Sequence, residues 1–125
     1  MNEKAQELRD RTKSFALRVV RLFRALPRSG EAQVMGRQLL RSGTSVAANY
    51  RAACRSRSRP EFLSRLSVVL EEADESCLWI ELLIDSGTLK KEKAELLLKE
   101  ARQLTAIFTA ATGTLRRSSN LKLEI

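Results

Sequence analysis

Six arginines are the residues of this sequence whose type and spacing most directly indicate a chemistry. They are Arg37, Arg41, Arg51, Arg55, Arg57 and Arg59. On a helix with about 100° per residue, the four that lie between positions 37 and 55 fall within an arc of about 80°. Because the guanidinium fork matches phosphate geometry, this arginine-rich face predicts contact with a nucleic-acid backbone, with weak sequence readout. Two alternatives stay open, namely a solvated helix face and arginines paired with carboxylates of a neighbouring subunit.

One cluster of carboxylates raises the question of metal or acid–base chemistry. Its members are Glu71, Glu72, Asp74 and Glu75. Metal sites in helical bundles draw carboxylates from several helices and add Glu-x-x-His repeats, whereas this cluster comes from one helix and the chain has no histidine. We therefore expect a polar network between helices. In it, Glu72 or Glu75 would pair with Arg41 or accept hydrogen bonds from Ser45 and Asn49.

No pattern in the sequence predicts an enzyme. The Ser, Thr and Cys side chains lack a neighbouring general base, and Gly43-Thr-Ser lacks the spacing and the lysine of a phosphate-binding loop. Two cysteines without histidine do not provide the four ligands of a zinc site. In a bundle, Cys54 and Cys77 would lie about 20 Å apart, too far for a disulfide. We expect a non-enzymatic protein with no cofactor and no metal.

Composition favours a polyanionic partner. The 125 residues carry a net charge of +8 and have a pI near 10.2, which points to nucleic acid or an anionic surface. No apolar run approaches the ~20 residues of a membrane span, and the first residues lack an apolar signal region. We expect cytoplasmic localisation and no membrane association.

The apolar spacing predicts four helices joined by short loops. They cover about residues 4–26, 31–55, 59–85 and 89–116. The end signals are Pro27, Ser29 as a cap, the capping box Ser58–Glu61, and Gly87 followed by Thr88 as the cap of the last helix. The fold class is all-α, an antiparallel up-down four-helix bundle. Residues 1–117 form the bundle and residues 118–125 a C-terminal tail.

Two further helix faces lead to predictions about packing. Gly36 and Gly43 are predicted to let a neighbouring helix approach closely, with the third helix as the expected neighbour. The third helix has a second apolar face with Val68, Trp79 and Leu82, which predicts an oligomer interface because tryptophan is favoured there. Alternatively, an adjoining helix or the tail covers that face.

Three segments resemble a known bacterial family. They are QLLRSGTSVAANYRA at 38–52, SRPEFLSRLSVVLEEADES at 58–76 and WIELL at 79–83. They are similar to the four-helix-bundle proteins encoded in intervening sequences of bacterial large-subunit ribosomal RNA genes. The resemblance implies a ring-like homo-oligomer, a homopentamer. The family is similar in turn to the accessory variability determinant of diversity-generating retroelements, a basic pentamer that binds nucleic acid and a reverse transcriptase. The resemblance implies no catalytic residue.

Two functions follow as hypotheses. The first is a non-enzymatic, oligomeric protein that binds the backbone of RNA or DNA through the arginine-rich face. The second is an interaction scaffold or accessory subunit that docks an acidic partner such as a reverse transcriptase.

Overall fold

The chain forms four α-helices. The structure is a computed structural model that describes the backbone of residues 2–124 and the side chains of residues 2–118. The helices are α1 Glu3–Arg24, α2 Gly30–Ala53, α3 Arg59–Asp85 and α4 Lys91–Glu124. The predicted all-α class is confirmed, since every regular element in the described part of the chain is an α-helix.

Local signals fix most helix ends where the sequence predicts them. Ser58 is the N-cap of α3, and its hydroxyl oxygen accepts a hydrogen bond from the backbone N–H of Glu61 at 3.2 Å. The Glu61 carboxylate in turn accepts from the backbone N–H of Arg57 at 3.2 Å. Gly87 adopts a φ of 78° just after α3, a left-handed conformation that glycine reaches without steric cost.

The fourth helix differs from the prediction at both ends. It begins at Lys91 rather than after a Thr88 cap, because the Thr88 hydroxyl lies 2.8 Å from the Ser86 hydroxyl within the loop. It also continues to Glu124 instead of ending near Arg116. The side chains of Leu121 and Leu123 and all of Ile125 lie outside the described residues, so the division into a bundle and a tail stays a prediction.

One hydrophobic core joins the helices. Its fully buried large side chains come from every helix and include Phe15, Val19, Leu39, Val46, Leu66, Val69, Ile80, Leu104 and Phe108. The Tyr50 and Phe108 rings meet at a tilt, with centroids 5.5 Å apart. Each of the six aromatic side chains is buried or half-buried, so the aromatic residues serve packing within the subunit.

Consecutive helices pack on one another, while α1 and α4 meet over a smaller area. Between α2 and α3, the Ser42 and Ser76 hydroxyls lie 2.8 Å apart, and Arg65 Nη1 donates to the Ala52 carbonyl at 3.3 Å. Between α1 and α4, the guanidinium of Arg11 donates two hydrogen bonds to the Glu100 carboxylate, at 2.7 and 2.8 Å. The Ser42–Ser76 contact places the acidic cluster of α3, which ends at Glu75, level with the middle of α2.

The two glycines of α2 face α1, not α3 as expected. A Cβ at residue 43 would lie 2.8 Å from Val19 Cγ2, and a Cβ at residue 36 would collide with Leu26 and meet Phe23 at 3.1 Å. Close packing is thus the reason for both glycines, but the expectation of the third helix as their neighbour was wrong. On the side of α2 that faces α3, Ser42 makes the contact with Ser76.

The second apolar face of α3 divides into exposed and covered parts. Val68 is 39% exposed and Leu82 is 38% exposed, and Leu78 beside them is 49% exposed. Trp79 is only half-exposed because it packs against the core. Its indole nitrogen is buried and has no hydrogen-bond acceptor among the described residues.

Candidate nucleic-acid interface

All six predicted arginines have exposed side chains. Arg55, Arg57 and Arg59 lie at the turn between α2 and α3, where Arg59 Nη2 donates to the Ser118 hydroxyl at 3.0 Å. Arg37, Arg41 and Arg51 lie on α2 itself. These last three do not act as one stripe, because their neighbours differ.

Arg41 turns towards α3. Its Nη1 donates to Glu72 Oε2 at 2.9 Å, and its Nη2 donates to Glu75 Oε2. The hydrogen bond that Arg41 donates to Glu75, reinforced by the charges of both carboxylates, raises the pKa of Arg41 above its usual value. This confirms the predicted pairing of Arg41 with Glu72 and Glu75, which engages this guanidinium within the subunit.

The predicted hydrogen bonds from Ser45 and Asn49 to that cluster take another form. Asn49 Nδ2 donates to the Ser45 carbonyl oxygen at 2.9 Å, one turn back along the same helix. The interhelical polar contact is made by Ser42 and Ser76, and Ser76 Oγ also donates to the Glu72 carbonyl at 2.8 Å. Among the described residues, no group of three or more Cys, Asp or Glu side chains is arranged to hold a metal ion.

Arg51 turns towards α1 and lines a groove there, the Arg51 groove. Arg9 and Lys13 of α1 line the same groove, which has a volume of about 410 Å³. Its remaining lining consists of Thr44, Ala47 and Ala48. These small side chains let a ligand approach the helix backbone between the three basic groups.

Arg37 lines a second groove further along the same two helices, the Arg37 groove. Arg24 at the end of α1 and Arg28 in the following loop join it there, and the volume is about 510 Å³. Phe23, Leu26 and Gln33 complete the lining. Neither groove has an acidic residue in its lining.

The α1 contribution is what the sequence reasoning missed. A helical wheel of α2 shows which arginines share a face but not which helix packs beside it. The sequence does contain one indication of this contribution. Lys13 and Arg24 lie on the same side of α1, within about 20° of each other on the wheel. Combined with the contact of Gly43 on Val19, that spacing locates both grooves between α1 and α2.

The charge of the chain is unevenly distributed over the helices. The α1 segment holds seven basic and three acidic residues, whereas α3 holds two basic and seven acidic residues. The two basic grooves lie between α1 and α2, away from the contact of α2 with the acidic helix. Such segregation favours binding of a polyanion on the α1–α2 side.

The buried thiol does not have the properties of a nucleophile. Cys77 is buried, and burial raises the pKa of its thiol, while its Sγ lies 3.6 Å from the Thr105 hydroxyl. The thiolate is the reactive form, so this environment disfavours nucleophilic catalysis. Cys54 is also a free thiol.

Comparison with known families decides the relationship. The family model described as 23S rRNA-intervening sequence protein matches residues 4–110. The chain belongs to this family. Among solved structures, this intervening-sequence protein is similar to a crystal structure of a protein of unknown function from the S23 ribosomal protein family of Bacteroides thetaiotaomicron. The two share 33% sequence identity and a TM-score of 0.81, over 88% of this chain and 98% of the other.

None of the curated proteins matches the intervening-sequence protein. Within the described residues, its helices include no segment both long and apolar enough to cross a membrane. The family match confirms the resemblance seen in the sequence, while a biochemical activity has to be argued from the basic grooves themselves.

Proposed function

We propose that this intervening-sequence protein is a non-enzymatic, cytoplasmic protein that binds the backbone of RNA or DNA. The observation that carries the proposal is the pair of grooves between α1 and α2. Each groove gathers three basic side chains from at least two segments of the chain and has no acidic residue in its lining. Phosphate contacts of this kind position a protein on nucleic acid without reading its sequence.

Filter binding across a salt series tests this function. Each phosphate contact that is lost reduces the slope of log affinity against log salt by about 0.7–0.9. An Arg37→Ala/Arg51→Ala variant should therefore bind more weakly and show a slope shallower by about 1.4–1.8. Arg102→Ala is the matched control, because this exposed arginine lies outside both grooves and pairs with Glu81.

Two outcomes of the salt series would reject this function. Affinity that is absent at low salt, or that does not change with salt, excludes backbone binding. A loss in Arg102→Ala that is as large per removed charge as the loss in the double variant would assign the binding to net charge alone.

The proposal includes an antiparallel up-down bundle that assembles into a ring-like homo-oligomer, a pentamer as the resemblance implies. Support for the antiparallel arrangement comes from pairs such as Ser42–Ser76 and Ala52–Arg65, whose numbers rise on α3 as they fall on α2. Support for an interface comes from Val68 and Leu82, which stay exposed on α3, the helix on which Trp79 is half-buried against the core.

Light scattering tests the assembly. Val68→Glu/Leu82→Glu should lower the molecular mass, because two buried charges at an interface are costly. Leu96→Glu on α4 is the control, since Leu96 is 68% exposed in the subunit and is not part of the α3 face. A wild-type protein that is monomeric at micromolar concentration would refute the assembly.

The second candidate function is an accessory subunit that docks an acidic partner such as a reverse transcriptase. The observation in its favour is a third groove of about 450 Å³ between α1 and α4. Arg18, Arg21 and Lys93 surround apolar residues there, including Leu22 and Leu97. A purified reverse transcriptase that binds equally well after nuclease treatment, and loses binding in Arg18→Glu/Arg21→Glu, would support this function over the first.

A further inference from the structure

The two basic grooves have a spacing that bears on which nucleic acid they bind. Arg37 and Arg51 are fourteen residues apart on α2, which is about 21 Å along the helix axis. Lys13 and Arg24 are eleven residues apart on α1, about 17 Å. The grooves are thus two separate clusters of positive charge on one face, which we call the basic face.

The stretch between the two clusters has no unpaired charge of α2, because Arg41, which lies between Arg37 and Arg51 along the helix, turns to Glu72 and Glu75 of α3. By helical position, the residues that lie on the basic face between the grooves are Leu17 and Val20 of α1 and Leu40 of α2. Leu17 is 46% exposed there. Arg18 and Arg21, which interrupt α1 at this level, line the groove towards α4 instead.

The arrangement lacks the features that hold a single strand. Proteins that bind single strands combine a continuous basic path with exposed aromatic rings on which bases stack. Here the basic path is interrupted, and all six aromatic side chains are buried or half-buried. Phe23 in the lining of the Arg37 groove is half-buried as well.

We propose that the basic face binds double-stranded nucleic acid across one groove of the duplex, with one basic cluster on each backbone. This inference rests on the proposed function and specifies its ligand. The major groove of B-DNA is about 12 Å across between its walls. Long Arg and Lys side chains that lean inwards from centres about 17–21 Å apart reach both of its walls. In A-form RNA the wide groove is the shallow minor groove, which proteins recognise by shape.

The stretch between the two clusters fits the same geometry. It faces the open groove between the two backbones, where no phosphate has to be neutralised. A neutral surface at this place explains why the basic residues are gathered at two levels of the helices rather than spread evenly along them. Duplex RNA and duplex DNA offer the same paired backbones, so both belong in the test.

Fluorescence anisotropy with the full chain tests the inference. The probes are an RNA duplex of about 20 base pairs, a DNA duplex of the same sequence, and the separate unstructured strands, all at the same salt concentration. We expect at least tenfold tighter binding of one or both duplexes than of their strands. Equal or tighter binding of the single strands overturns the inference and leaves the proposed function intact, whereas failure to bind any probe overturns both.

Two groove variants sharpen the test. Lys13→Ala/Arg51→Ala removes two of the three basic side chains of one cluster, and Arg24→Ala/Arg37→Ala removes two of the three of the other. Each should weaken duplex binding by a similar factor and lower the salt slope by about 1.4–1.8. Circular dichroism verifies that each variant retains its helices, and Arg102→Ala serves again as the control. A loss confined to one double variant contradicts binding at two levels.

Footprinting supplies an independent readout. Hydroxyl-radical cleavage of the bound duplex should show protection on both strands, facing each other across one groove. In the Lys13→Ala/Arg51→Ala variant, the protection should persist on one strand and fade on the other. Protection confined to a continuous tract of one strand in the wild type contradicts the proposal.

Discussion

Gly43 lies directly against Val19, so that a Cβ at residue 43 would come within 2.8 Å of Val19 Cγ2. This contact sets the distance between α1 and α2 near the middle of α2 and in the last third of α1. Because the two helices approach so closely, basic side chains from both of them line common grooves. A packing contact in the core thus determines the geometry of the surface.

Gly43→Ala should destabilise the protein. Alanine improves helix propensity by about 1 kcal/mol, but the added methyl group meets the β-branched Val19, and overpacking costs about 1–3 kcal/mol. We expect a net loss of up to about 2 kcal/mol in the free energy of unfolding, measured by urea denaturation. Gly30→Ala is the control, because nothing lies within 4 Å of a Cβ there. A stabilised Gly43→Ala protein would show that α1 and α2 can separate without cost.

The Ser42–Ser76 contact predicts non-additive mutations. Both hydroxyls are fully buried and lie 2.8 Å apart; Ser76 Oγ donates to the Glu72 carbonyl, which leaves it to accept the proton of Ser42. Each single change to alanine leaves the other hydroxyl short of a partner, so each should cost about 1–2 kcal/mol. The double variant should cost less than the sum of the two. Additive losses in the double-mutant cycle would mean that the two hydroxyls do not interact.

The arginines that link helices through ion pairs, Arg41 and Arg11, should differ in how much they stabilise the fold. The Arg41 side chain is 49% exposed in its pairs with Glu72 and Glu75, so Arg41→Ala should cost less than about 1 kcal/mol. Arg11 makes two hydrogen bonds to Glu100, whose side chain is only 16% exposed, so Arg11→Ala should cost about 1–2 kcal/mol. Thermal unfolding of both variants decides the order, and the reverse order would contradict the burial argument.

Arg41→Ala has a second expected outcome. Because this guanidinium is held by two carboxylates within the subunit, its removal should change nucleic-acid affinity far less than removal of Arg51. Matched filter-binding curves for Arg41→Ala and Arg51→Ala measure the difference. Equal losses would mean that Arg41 leaves its carboxylates to contact the ligand.

Tyr50 should make the protein sensitive to alkali. Its phenol is buried, and burial, with a smaller effect of Cys54, raises the pKa of Tyr50 well above 10.0. In the unfolded chain the phenol ionises near pH 10, whereas the folded state keeps it neutral. The stabilisation is therefore complete below about pH 10 and is lost as the pH rises further.

Tyr50→Phe isolates this contribution. Phenylalanine preserves the ring contact with Phe108 but cannot ionise. The melting temperature of the wild type should therefore fall more steeply above about pH 10 than that of the variant. Parallel curves would indicate that other groups cause the alkaline loss of stability.

The helices and the site differ in how far the sequence predicts them. The start of α3 was predictable because Ser58, Pro60 and Glu61 act locally, within one turn. The end of α4 was not, since the polar residues from Arg116 to Asn120 include no Gly or Pro to stop the helix. Local signals thus fix a helix end only where they are strong.

The grooves depend on a relationship that no local pattern contains. Arg41 and Arg51 look equivalent on the wheel of α2, yet one faces the carboxylates of α3 and the other faces Lys13 of α1. On the wheel, the two arginines lie about 40° to either side of Arg37, and this difference in direction decides which helix each one faces. The helix that it faces decides whether its guanidinium is paired with a carboxylate. Only the packing of Gly43 on Val19 shows on which side α1 lies.

The separation of charge between α1 and α3 also affects how the protein meets its ligand. A body with seven basic residues on one helix and seven acidic residues on another has a permanent electric dipole. Near a polyanion, the dipole turns the α1–α2 side forward and the α3 side away before any contact is made. Encounters then arrive already oriented, so the association rate should depend more steeply on ionic strength than the dissociation rate does.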